Sequence, residues 1–246
     1  MELGIAGRVA LVTGGSRGIG AGIAAELARE GARVAIAART REQVDATAAE
    51  IGAAGFVFDA GDPDAAPGLV DRVADALGGP VEILVTNTGG PPSNPDPTSF
   101  SRDQWEAAYR NLVLAPIALI ETALPSMRER RFGRIVNVSS SAVREPIDNL
   151  ALSNVHRSAA LSAFKTLARA VAADGVTLNT LLTGRIATDR LLELYPSLEA
   201  AAEGIPAGRL GTVEEMAAVA VFLCSDRASF VTGEAIRVDG AMTRAV

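Results

Sequence analysis

The sequence predicts an α/β protein built on one doubly wound parallel sheet. Three observations carry that reading. Short β-rich runs alternate with longer Ala-rich helical stretches through the whole chain, and this alternation is how a parallel sheet covered on both faces reads in sequence. Thr13-Gly14-Gly15-Ser16-Arg17-Gly18-Ile19-Gly20 places three spaced glycines between the first strand and the first helix. No linker, repeat or low-complexity segment interrupts residues 1–246, a length that one large core can support.

The elements follow in order. Strands are expected at Arg8–Thr13, Ala32–Ala38, Phe56–Phe58, Glu82–Thr86, Arg134–Val138, Val176–Leu181 and Ala235–Val238. Helices are expected at Gly18–Glu30, Arg41–Ile51, Asp64–Leu77, along a long stretch after Ser101, at Leu150–Ala173, and in pieces up to Ser225. Pro116 should bend the long helix, because proline lacks the N–H that the helix needs. The loop Pro91–Pro97 reads as a rigid excursion within the domain, and Leu191–Ile205 as a mobile lid with apolar character from its Leu residues and Tyr195.

Composition narrows the function. A formal net charge of −6 without a basic stripe argues against nucleic acid. One cysteine and one histidine exclude a disulfide framework and a Cys/His zinc site, so no metal is expected and the cytoplasm is the expected compartment. The start Met1-Glu2-Leu3 runs towards a strand and does not read as a signal peptide. The longest apolar stretch, Leu112–Leu124, contains Pro116 and Glu121 and falls short of the roughly 18 residues that span a bilayer, so no membrane partner is expected.

The glycine segment points to a dinucleotide. Gly14, Gly18 and Gly20 let the backbone turn tightly and approach a pyrophosphate, and the following helix start presents free N–H groups and a positive dipole end. Ser16, Arg17 and Ile19 fall in the same turn. An NAD site usually has an acid at the end of the second strand for the ribose 2′-hydroxyl. Here that strand ends Ala37-Ala38-Arg39-Thr40, without an acid. Arg39 offers a planar, permanently charged fork suited to a 2′-phosphate, and Arg17 can join it. The expected cofactor is therefore NADP(H), on a Rossmann-type domain covering residues 1–246.

With these residues in view, the chain resembles the short-chain dehydrogenase/reductase superfamily over nearly its whole length. Thr13–Gly20 has the family's TGxxxGIG spacing. Asp59-Ala60 resembles its adenine-contacting turn, and Asn87-Thr88-Gly89-Gly90 its NNAG turn. Asn111 falls where the family has a catalytic Asn, and Gly133–Ser140 resembles the strand that ends in its catalytic Ser. Gly208–Gly211, Phe230–Glu234 and Val238–Ala241 are similar to the tail of acyl-carrier-protein ketoreductases. The resemblance implies that Ser140 polarises a substrate oxygen, that Gly184, the Ile186 backbone and the Thr188 hydroxyl contact the cofactor, and that the chain forms a homodimer or homotetramer through its long helices and last strand. It implies a ketone or alcohol as substrate.

The pattern breaks at the family's Tyr-x-x-x-Lys. Counting from Ser140, and back from Asn179, places Ser153 and Arg157 in that slot. A register using Lys165 would pair it with Leu161, which has no proton to give. A general acid works best with a pKa near the working pH, and an aliphatic hydroxyl is a far weaker acid than a phenol. Arg157 can hold ribose hydroxyls but does not pass protons, its pKa lying above about 12. His156 shares a helix face with Ser153 and Arg157 at i+3 and i+4, so it reads either as a substitute proton donor or as a packing residue. Glu145 reads either as an acid or as a salt-bridge partner. Thr183 replaces the Pro of the family's turn before Gly184. Three functions stay open: an NADP(H)-dependent oxidoreductase with an atypical proton donor, a redox-silent NADP(H) binder or sensor, and a redox-neutral dehydratase or isomerase on the same fold.

Overall fold

A computed structural model describes residues 2–245; the two ends of the expected domain, Met1 and Val246, lie outside the described residues. Seven strands form one sheet in the order β3-β2-β1-β4-β5-β6-β7, every neighbouring pair parallel. The strands are β1 Val9–Thr13, β2 Arg33–Ala38, β3 Ala54–Val57, β4 Ile83–Thr86, β5 Gly133–Val138, β6 Val176–Thr183 and β7 Ala235–Val238. The expected doubly wound sheet is what forms.

The long helices cover the two faces: α1 Gly18–Arg29, α2 Arg41–Ile51, α3 Ala66–Leu77, α4 Arg102–Tyr109, α5 Ala115–Arg130 and α6 Ala151–Val171. Two short helices, α7 Asp189–Leu192 and α8 Leu198–Ala202, follow, and then α9 Val213–Leu223. Side chains alternate along each strand and so sort into two cores. Ala10, Val12, Val34, Ile36, Val136 and Val138 pack with Ile23 and Leu27 of α1 and Met216 and Ala220 of α9. Val9, Leu11, Ala35, Ala37, Leu84 and Ile135 pack with Leu69 and Val73 of α3, Leu119 and Ile120 of α5 and Phe164 of α6. Burial on both faces explains why these strands read as continuous Val/Ile/Leu/Ala runs.

The long helix departs from regularity where Pro116 predicts a bend. Residues Arg110–Leu114 make a π-helical turn between α4 and α5. Pro116 cannot donate the helical hydrogen bond and its ring crowds the preceding turn, so the backbone widens there. The run 102–130 is long and apolar enough to cross a bilayer by length and composition. In this structure its α5 portion packs Leu119, Ile120, Ala123 and Met127 into the core against the sheet.

Strand order reverses between β1 and β4, since the chain leaves β1 towards β2 and β3 and then returns to β4. In open α/β sheets the ligand crevice forms at such a switch point, beyond the carboxyl ends of the strands. The lone Cys224 is fully buried at the end of α9. Burial pushes its thiol up to about 12, against a smaller opposing pull from Arg134. The thiolate is the reactive form. Iodoacetamide at neutral pH is expected to leave the folded chain unlabelled and to label Cys224 only in denaturant, read by intact mass.

Candidate active site

A cavity of about 950 Å³ opens at the carboxyl ends of the strands, where the switch point predicts it. The glycine turn forms one wall. Gly14 and Gly18 have φ of +57° and +55°, backbone that glycine adopts without a Cβ penalty. Asn87, at the end of β4, holds this turn: its Nδ2 donates to the Gly14 carbonyl at 3.2 Å, and its backbone exchanges two 3.0 Å hydrogen bonds with the Thr13 hydroxyl. The N-terminus of α1 begins after Arg17 with no side-chain cap, so its first N–H groups are left for another acceptor. Ser16, Arg17, Gly18 and Ile19 line the cavity.

Gly20 does not line it, which corrects its expected contact with the cofactor. It is buried beneath the turn, where a Cβ would stand 2.1 Å from the Gly14 carbonyl oxygen. Its work is to let α1 approach β1.

Further round the rim lie Arg39, Asp59, Ala60, Asn87 and Gly89. Arg39 is exposed and, among the described residues, has no carboxylate partner. Asp59 turns one oxygen to the Gly61 N–H at 2.9 Å. Gly184, Ile186 and Thr188 close the opposite wall. Gly184 is needed there because a Cβ would meet the Asp239 backbone at 2.5 Å. The Thr188 side chain faces Gly18 across the gap, 3.5 Å from where a Cβ would stand. Thr183 has its own explanation: its hydroxyl donates to the Ser139 carbonyl at 2.9 Å, tying β6 to the end of β5.

Ser140, Asn111, Ser153 and Arg157 all line this same cavity. Ser140 Oγ accepts from the Ala142 N–H at 3.1 Å, which leaves its own hydrogen free. Its neighbours Ser139 and Ser141 also reach the cavity wall, and Ser139 Oγ is buried without a hydrogen-bond partner. Asn111 sits in the π turn and donates from Nδ2 to the Ala107 carbonyl at 2.8 Å. Arg157 Nε donates to Ser153 Oγ at 3.1 Å, and its Nη1 to the Val138 carbonyl at 3.1 Å. Ser153 and Arg157 thus form one unit, i and i+4 on α6. Arg157 touches the cavity but is otherwise enclosed by protein. Burial first, and the nearby Arg190 second, push its guanidinium down to about 10.

His156 points elsewhere, and the expectation that it serves as proton donor is corrected. It is buried between the rings of Trp105 and Tyr109, centroids 5.5 and 6.2 Å away, with Nδ1 bonded to the Leu152 carbonyl at 2.7 Å. It packs α6 against α4 and does not line the cavity. Glu145 reaches the cavity, but its Oε1 accepts from the Arg244 and Ala245 N–H groups, each at 2.7 Å, so it anchors the C-terminal segment.

Among the lining residues that escaped sequence reasoning are Arg190, Met242 and Thr243. They reach the cavity only through tertiary folding, and no local motif marks them. Tyr195, expected to be merely apolar, places a phenol in the same wall with the Arg185 guanidinium 4.9 Å above its ring.

Comparison with known proteins agrees with this architecture. A family model described as enoyl-(acyl carrier protein) reductase matches residues 14–243. The acetoacetyl-CoA reductase of Shinella zoogloeoides is 35% identical over 238 residues, covering 95% of this chain and 97% of the relative. The 3-oxoacyl-[acyl-carrier-protein] reductase FabG of Pseudomonas aeruginosa is 35% identical over 248 residues, covering 98% and 99%. The L-sorbose reductase of Gluconobacter frateurii, solved with NADPH and L-sorbose, superposes with a TM-score of 0.92 at 31% identity, covering both chains completely.

Proposed function

Because this chain belongs to the short-chain dehydrogenase/reductase family, we propose that it is an NADP(H)-dependent oxidoreductase interconverting a ketone and an alcohol, with Ser153 and Arg157 in place of the family's Tyr and Lys. The observation that carries this reading is that the bonded Ser153–Arg157 pair shares one cavity with Ser140, Asn111 and the glycine turn. We place it as a single domain over residues 1–246, working in the cytoplasm as a homodimer or homotetramer on a small carbonyl or alcohol substrate.

The residues present fit the cofactor. The uncapped N-terminus of α1 suits a pyrophosphate. Arg39, exposed and without a carboxylate partner among the described residues, suits a 2′-phosphate. When bound, NADPH supplies the hydride. Ser140 keeps its hydroxyl hydrogen free for the substrate oxygen. Asn111 faces the same space from the π turn. Arg157 has N–H groups beyond its two protein bonds for the ribose hydroxyls. Ser153 accepts from Arg157 and keeps its own hydrogen to hand towards the cavity, so the proton comes through Ser153 or from water, not from His156.

Two measurements test this. The purified chain is expected to oxidise NADPH with some member of a broad carbonyl panel; tight NADPH binding with no turnover on any member would overturn the redox reading. Arg39→Ala is expected to weaken NADPH binding about 10- to 100-fold, the worth of one charge-assisted contact of about 1.5–3 kcal/mol, while NADH binding stays unchanged. Equal losses for both cofactors in titration calorimetry would remove Arg39 from the 2′-phosphate.

A second reading, redox-silent binding of NADP(H), is favoured by one observation: Ser153 and Arg157 satisfy each other, and neither is a ready acid. Redox-neutral dehydration or isomerisation in the same cavity would appear as turnover without cofactor consumption.

A further inference from the structure

The reductase reading leaves Arg190, a cationic side chain of the cavity wall, without a task. Arg190, the second residue of α7, lines the same cavity as Arg157. Its Nη2 donates to the Pro91 carbonyl at 3.0 Å, and it pairs with Glu193 three residues on. That pair lies on the exposed side of a single helical turn, where such contacts contribute little.

Arg157 has no acid at all: both its acceptors, Ser153 Oγ and the Val138 carbonyl, are neutral, and no carboxylate among the described residues pairs with it. Both guanidiniums line the same cavity, and the positive charge of Arg190 adds to burial in holding the Arg157 pKa down. Arg157 has no carboxylate partner and Arg190 has only Glu193 on its exposed side, so the two guanidiniums leave positive charge on one cavity that a seated anion relieves. The nearby acids do not supply it. Glu145 is held by the Arg244 and Ala245 N–H groups, and Asp189 is exposed without an ion pair to either arginine. The cofactor's phosphates have their own sites at the N-terminus of α1 and at Arg39.

We propose that Arg190 and Arg157 clamp a carboxylate carried by the substrate, so that the carbonyl compound taken by this cavity is an oxo acid. The proposal rests on the NADP(H)-dependent reading above. Each guanidinium is a planar fork matched to a carboxylate. Beyond its two protein bonds Arg157 has three N–H groups, enough for a ribose hydroxyl and one carboxylate oxygen. Arg190, on the same cavity, grips the other oxygen.

The test is calorimetric titration of the protein loaded with NADP+, which binds an oxo compound without consuming it. The probes are straight-chain 4-oxo acids, from 4-oxopentanoate to 4-oxodecanoate, each beside its methyl ester. At least one acid is expected to bind tenfold or more tightly than its ester. Arg190→Gln should erase that preference while the affinities for ester and NADP+ stay unchanged, and Arg190→Lys should keep part of it. A merely structural role for Arg190 would lower acid and ester affinity alike, and that result overturns the clamp. So does parity of acid and ester throughout the series, or a preference that survives Arg190→Gln. If Arg190→Gln weakens NADP+ itself, Arg190 belongs to the cofactor's phosphate and the clamp is again overturned. A chain that fails to bind NADP+ at all sinks the cofactor reading and the clamp together, whereas acid–ester parity with NADP+ bound sinks only the clamp.

Discussion

The double change Ser153→Tyr with Arg157→Lys is expected to raise kcat for carbonyl reduction about 10²- to 10⁴-fold, the range that a positioned general acid contributes. Three observations make the exchange feasible. Ser153 opens on a cavity of about 950 Å³, so a phenol ring has room to project. Positions 153 and 157 already touch through the Nε–Oγ bond of 3.1 Å, so a lysine at 157 would stand within reach of the new tyrosine. Ser140 lines the same cavity and remains to hold the substrate oxygen. A phenol beside an ammonium ionises far more readily than a serine hydroxyl beside a guanidinium. NADPH affinity, titrated separately, should change little, because the glycine turn and Arg39 are untouched. A gain from no activity would mean the native site is redox-silent. An unchanged or lower kcat would mean that the native site already holds a competent donor.

Much of this arrangement was legible in the sequence. The α2 bounds Arg41–Ile51 coincide with expectation, and each of the seven strands falls within two residues of it at either end, because hydrophobic period and glycine punctuation are local signals. The glycine turn, Arg39, Ser140, Ser153 and Arg157 fall in one cavity for the same reason: each lies at the carboxyl end of a strand or on a helix whose register the sequence sets. His156 went wrong by helical angle. At about 100° per residue, positions 153 and 157 stand about 40° apart, while 156 falls about 100° from 157 and turns towards Trp105 of α4. Sequence spacing alone does not say which edge of a helix face looks into a crevice. Arg190 was invisible for another reason: its backbone contact is with Pro91, 99 residues away. The π turn was seen only as a bend, since Pro116 predicts a broken ladder but not how the ladder re-forms.

Gly20→Ala is expected to cost both stability and cofactor, although Gly20 touches no cavity. The new methyl would stand 2.1 Å from the Gly14 carbonyl oxygen and 2.8 Å from Asn87 Nδ2. Neither can move away cheaply. Gly14 is part of a positive-φ turn, and Asn87 holds that turn to β4 through its 3.2 Å bond. The clash is therefore relieved by pushing α1 away from β1, which carries the uncapped helix start out of position. Overpacking of this kind costs about 1–3 kcal/mol, or a fall in Tm of about 2–12 °C for a chain of this size. Misplacing two charge-assisted N–H contacts to a phosphate, at about 1.5–3 kcal/mol each, weakens NADPH binding about 100-fold or more. Gly89→Ala is the comparator: it lies on the cavity rim, its added Cβ meets nothing within 4 Å, and its φ is not positive. Its Tm should stay within experimental error of the unmodified chain. Scanning calorimetry together with NADPH titration separates the outcomes. If Gly20→Ala keeps full NADPH affinity, the close approach of α1 to β1 is not what positions the phosphate cradle, and the binding must rest on Arg17 and Arg39 instead.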